Sequence, residues 1–119
     1  MSRTNSIFDF LDAGIRAENL RQKTIANNIA NLETPNYKRI DVKFEEILSK
    51  SLNEDGSAEI GDLEPELYNP QNSPVKENGN NVSMETEIGQ LVENSLKYKA
   101  YIRILNTKYQ QIQSAIDVK

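Results

Sequence analysis

METEIGQLVENSLKYKAYIRILNTKYQQIQSAIDVK (Met84–Lys119) carries the pattern that decides the fold. Steps of four and three from Met84 land on Ile88, Leu91, Ser95, Tyr98, Ile102, Leu105, Tyr109, Ile112 and Ile116, and only Ser95 among these is neither apolar nor aromatic. That spacing is the a/d line of a heptad repeat. It runs without proline and with one glycine, Gly89. An ordinary globular helix ends sooner, so the length argues for a long helix that pairs with another. Ser83 is placed to cap it, with Glu85 and Glu87 in the first turn where the helix dipole favours negative charge.

The same spacing recurs at the other end of the chain, through Phe8, Leu11, Ile15, Glu18, Gln22, Ile25, Ile29 and Leu32. Glu18 and Gln22 interrupt it. Two readings stand. Polar residues in a helix seam cost stability and fix register, or the apolar face simply drifts through Ala17 and Leu20 as a straight 3.6-residue helix would. Ser6 or Asn5 suits the N-cap, with Asp9 and Asp12 in the early turns. Neither helix can bury its stripe alone. The predicted fold is therefore mainly α, with long N- and C-terminal helices pairing as an antiparallel coiled coil around an irregular, partly disordered middle.

Four segments follow: residues 1–40, the first helix and a TPNYK turn; 41–52, a short amphipathic segment; 53–82, an acidic flexible loop; and 83–119, the heptad helix. Charge marks the same boundaries. Residues 1–44 hold seven basic against five acidic side chains, 45–83 two against nine, and 84–119 five against four. The loop also holds three of the chain's four prolines, a composition that packs poorly. SAEIGDLEPELY (Ser57–Tyr68) leaves room for a small β-hairpin.

Composition narrows function by exclusion. The 119 residues include no Cys, His or Trp, so thiolate, imidazole and ordinary zinc chemistry are absent. Neither flank carries the basic stripe of a nucleic-acid binder. No run of about 18 apolar residues could span a membrane, and MSRTNSIFDFLDAG lacks the apolar block of a cleaved secretory signal. The stretch from Asn53 to Glu64 imitates a calcium loop, but Ala58 occupies the position that needs glycine. Tyr98, Tyr101 and Tyr109 lie on or beside the seam and read as interface aromatics. No enzyme, no cofactor, no metal, no nucleic-acid partner and no small-molecule substrate is expected. Mean hydropathy is −0.66, thin for a self-sufficient core in so short a chain. A subunit that borrows core from neighbours, or a cytoplasmic coiled-coil adaptor, fits better.

The end of the first helix is unusually specific: Ala26-Asn27-Asn28-Ile29-Ala30-Asn31, then Thr34-Pro35-Asn36-Tyr37-Lys38. Thr34 is pushed out of helical conformation by Pro35. Pro35-Asn36 suits the centre of a type II turn, which needs positive φ at its second central residue. Asn27 and Asn31 share a helix face, and with Asn28 they are candidates for amide bonds to neighbouring subunits. This ANNIAN–TPNYK pair resembles the N-terminal signature of the flagellar basal-body rod and hook family, with Asn36 where the family usually has glycine. Gly79-Asn80-Asn81-Val82-Ser83-Met84-Glu85, with Asn94, Tyr98 and Tyr101 beyond, is similar to the family's proximal rod branch; a sibling rod branch is the nearest alternative. The likeness covers about residues 1–48 and 78–119.

The resemblance implies a structural subunit exported unfolded by the flagellar type III system and polymerising in the periplasm. Its partners would be copies of itself, other rod proteins, membrane-ring and rod-adaptor proteins at its base, and the export gate. Phe44 and Leu48 fit the family's F-x-x-x-apolar export element; their other role is to pack a short helix on the coiled coil. Phe8, Leu11, Ile15, Ile25, Ile29 and Leu32, with Ile88, Leu91, Tyr98, Ile102, Leu105, Tyr109 and Ile112, form the expected assembly seam.

Overall fold

A computed structural model describes residues 6–53 and 59–118. In chain order these are helix α1 (Ile7–Ala30), strand β1 (Asp41–Lys43), helix α2 (Glu45–Asn53), a single 3-10 turn (Ile60–Asp62), strand β2 (Glu66–Tyr68) and helix α3 (Met84–Asp117). α3 has 34 residues, about 50 Å at 1.5 Å per residue. The radius of gyration is 18.1 Å, against about 13–14 Å for a compact chain of this length, and the principal extents are 67 × 32 × 16 Å.

Both long helices start where their caps stand. The Ser6 hydroxyl accepts from the Asp9 backbone N–H, and the Asp9 carboxylate accepts from the Ser6 N–H, a complete capping box. The Ser83 Oγ accepts from the Thr86 N–H at 3.4 Å. α1 and α3 then lie antiparallel: Asn28 meets Glu87, Glu18 meets Asn94, and Phe8 meets Tyr109 with ring centroids 5.6 Å apart. Gly14 of α1 lies under Tyr101 of α3, and a Cβ there would clash with the ring.

The apolar core lies to one side of this pair. Ala13 and Ala17 of α1, Phe44 before α2 and Ile60 form its buried centre, with Phe10, Leu48 and Leu63 packed against it. Two small alanines leave the space that the Phe44 ring fills. The middle segment does more than its composition suggests. Arg16 holds it to α1 by donating to the Gly61 and Leu63 carbonyls and pairing with Glu64. Of the hairpin expected within 57–68, residues 57–58 lie outside the described residues; among the rest, Glu66–Tyr68 pairs antiparallel with β1 instead, Val42 opposite Leu67. Val42 is buried while the whole of β2 is exposed. The ribbon therefore clips the segment onto the fold from one side, and two strands need such a backing to persist.

Candidate functional site

The helix joint is held by a dense set of hydrogen bonds. Pro35-Asn36 forms the expected turn: Asn36 has φ 63° and the Tyr37 N–H returns to the Thr34 carbonyl at 3.3 Å. This turn docks on the segment just before α3. The Asn36 N–H donates to the Asn78 carbonyl at 2.9 Å and the Asn81 N–H to the Tyr37 carbonyl at 3.3 Å. The side chain of Asn36 occupies the space where a Cβ on Gly79 would stand, and Gly79 has φ 85°. Lys38 donates to the Gly79 carbonyl. Asn80 is fully buried and its Nδ2 donates to the Asn31 and Thr34 carbonyls, both at 2.8 Å. A residue distant in sequence thus gives a second donor to two carbonyls at and just beyond the C-cap of α1, which also accept from the Thr34 and Tyr37 N–H groups.

Beneath the turn lies a buried polar node. Asn28 uses both ends of its amide: Nδ2 donates to the Ile40 carbonyl at 2.8 Å and to Glu87 Oε1 at 2.9 Å, while Oδ1 accepts from the Ile40 N–H and the Tyr37 hydroxyl. Arg39 Nε donates to Glu87 Oε2 at 2.8 Å. A buried carboxylate is tolerable only with such partners. Tyr37 also accepts from Asn27 at 2.8 Å. Burial pushes its phenol above the ordinary value, against the opposing Asn27 bond. Asn28 is therefore not available to a neighbouring subunit, because every polar atom of its side chain is bonded inside this one. Asn31 donates to the Asn27 carbonyl and accepts from the Thr34 hydroxyl.

A second polar cluster ties three helices at mid-length. Glu18 is 1% exposed and takes bonds from Asn94 and Arg21; Arg21 also pairs with Glu45, which Lys97 joins at 3.6 Å. Burial by itself would push the Glu45 carboxyl up, but the Arg21 bond and charge, with Lys97, hold it below its ordinary value. These groups line a polar cavity of about 200 Å³ with Asp41, Gln90 and Glu93. Among the described residues no group of carboxylates is arranged to hold a metal ion, and no helix is long and apolar enough to cross a membrane.

Of the expected seam, Leu11 and Ile25 are buried, and Phe8, Ile15, Ile29 and Leu32 half-buried. On α3, Ile102 and Leu105 are half-buried, whereas Ile88, Leu91, Tyr98, Tyr109 and Ile112 are exposed. The residues of α3 aimed at α1 stand one position earlier: Glu87, Asn94 and Tyr101. Their seven-residue spacing was visible, but polar side chains carry no weight in an apolar count. Arg39, Asn80 and Asn81 were likewise unmarked as bonding centres. Phe44, 1% exposed, sits in the core, and Leu48, half-buried, packs against it.

Residues 13–38, which span most of α1 and the turn, match the model of a family described as Flagella basal body rod protein. The chain is similar to the flagellar basal body rod protein FlgB of Borreliella burgdorferi, 33% identical over 108 residues that cover 76% of this chain and 80% of the relative. Similarity to FlgB of Bacillus subtilis is 26% over 98% of this chain and 97% of the relative. For FlgB of Salmonella typhimurium it is 29% over 92% and 97%.

Proposed function

Since the chain belongs to the FlgB family of flagellar basal body rod proteins, we propose that it crosses the inner membrane unfolded, through the flagellar type III system, and polymerises in the periplasm into the proximal rod. It is a structural subunit of the rod and not an enzyme. Its interfaces are with copies of itself, with other rod proteins, and with membrane-ring and adaptor proteins at the rod base.

The observation that carries this reading is the outer line of α3. Ile88, Leu91, Tyr98, Tyr109 and Ile112 are between 38% and 57% exposed along one helix. An apolar surface this long is unusual for a monomer and marks a contact site. Ile88→Asp and Ile112→Asp are expected to abolish motility and leave basal bodies without a complete rod, as seen by electron microscopy of purified basal bodies. Wild-type motility in both strains would defeat the assignment.

Export is proposed to read Phe44 and Leu48 before folding buries them. Phe44→Ala should lower secretion, whereas Ile60→Ala, which damages the same core from outside the pattern, should not. Equal secretion of the two variants would remove the export role from Phe44.

A further inference from the structure

Glu87, Asn94 and Tyr101 recur every seven residues along α3 and all face α1. Glu87 (0% exposed) is held by Asn28 and Arg39. Asn94 Nδ2 donates to the Glu18 backbone carbonyl at 2.7 Å and to Glu18 Oε1 at 3.0 Å. Tyr101 covers Gly14. Beside it, along the first half of α3, runs an apolar line of Ile88, Leu91 and Tyr98, which are 50%, 38% and 38% exposed; beyond it Ile102 is half-buried and Tyr109 packs on Phe8.

Each residue turns a helix by about 100°. Rotating α3 about its own axis by roughly that angle would present the apolar line to α1 and leave every backbone bond of the helix intact. Burial of apolar surface favours that alternative, yet the polar line is the one inside. We propose that the Glu18–Asn94 bond, backed by the Glu87 node, is a rotational key: it selects the one orientation of α3 that keeps the apolar line at the surface. Polar seam residues select an arrangement because the alternatives strand a buried donor or acceptor. Here rotation would leave Asn28, Arg39 and Glu18 facing apolar side chains. The helix pair is thus held together by specificity and not by its most adhesive face. This inference concerns the isolated subunit and holds whether or not the rod assignment does.

The chain has no cysteine, so a single Ile88→Cys reports the orientation by its rate of maleimide labelling. Measurements are made on full-length protein at a dilution where sedimentation shows a monomer. With Ile88→Cys alone, labelling is expected to be fast. In a Glu18→Leu, Asn94→Leu background both partners of the key leave together, the chain remains helical, and labelling slows at least about tenfold as the apolar line turns inward. Where that background gives no helical monomer, Asn94→Leu alone decides. Glu18 then keeps Arg21, and labelling slows about threefold. Labelling at the parental rate in the folded background overturns the proposal.

Discussion

At one end of the helix pair, the last turn of α1 and the first turn of α3 are joined through Asn28, Arg39, Asn80 and Glu87, all buried and all bonded within the subunit. At the other end, α3 continues past the Phe8–Tyr109 contact to Asp117 with Ile112 and Ile116 45% and 65% exposed. The first end buries polarity and satisfies it; the second displays apolar surface. A polar joint buried this deeply gains little from a new partner, because its donors and acceptors are already used. An exposed apolar helix gains from any complementary surface that removes it from water. The joint therefore sets the shape of the subunit, and the far end and outer line of α3 supply the adhesion.

Substitutions can break that contrast, beginning at the joint. Glu87→Ala leaves the buried Arg39 guanidinium with only the long 3.5 Å contact to Asp41 and takes one of two acceptors from Asn28. It should cost about 3–5 kcal/mol, the usual penalty for removing one partner of a buried pair, read from chemical denaturation. A loss under about 1 kcal/mol would show that the joint does not hold the pair. Next is Asn80→Ala, which removes one of two donors from each of the Asn31 and Thr34 carbonyls and leaves the Val82 N–H without the Asn80 Oδ1 that accepts it at 2.7 Å. The expected loss is about 1–3 kcal/mol, with unfolding starting at residues 31–38 in hydrogen exchange.

The far end should respond in the opposite way. Ile112→Ser with Ile116→Ser is expected to shift monomer stability by no more than about 0.5 kcal/mol, while rod assembly fails. A strongly destabilised monomer would mean that these side chains serve the fold of the subunit itself.

The smallest effect is one of pH. Burial raises the Tyr37 phenol, so the folded state favours its neutral form. That contribution is full below the ordinary tyrosine value near 10 and is lost as pH rises through the raised one. Glu45 runs the other way: its lowered carboxyl contributes above the ordinary carboxylate range and is lost as acid passes through the lowered value. Tyr37→Phe should flatten the alkaline limb of a stability–pH curve and leave the acid limb unchanged. An unaltered alkaline limb would place the sensitive group elsewhere.

Much of this architecture was legible in single residues. Ser6 and Ser83 cap the two long helices, Pro35 ends the first, and Asn36 takes the positive φ that its place in the turn requires. Of the two readings of Glu18, the structure supports a polar seam residue: it is buried beside Asn94, while Gln22 stays exposed. The middle segment was harder to read. Ile60 and Leu63 are isolated among acidic residues, and neither a period nor a local turn announces that they pack on Ala13 and Ala17. Strand pairing of Asp41–Lys43 with Glu66–Tyr68 crosses more than twenty residues, and three-residue strands carry almost no signal of their own.

Local chemistry by itself determined where the helices begin and end and which faces are apolar. Those properties follow from spacing and from the conformational limits of proline, asparagine and serine, and they need no knowledge of what lies across the fold. Only the tertiary structure decided which line of α3 faces α1. Periodicity ranks faces by apolar area, whereas the choice between two faces about 100° apart depends on whether each buried donor and acceptor finds a mate. Asn28, Glu18, Arg39, Glu87 and Asn94 come from distant parts of the chain, and their hydrogen bonds exist only once it has folded.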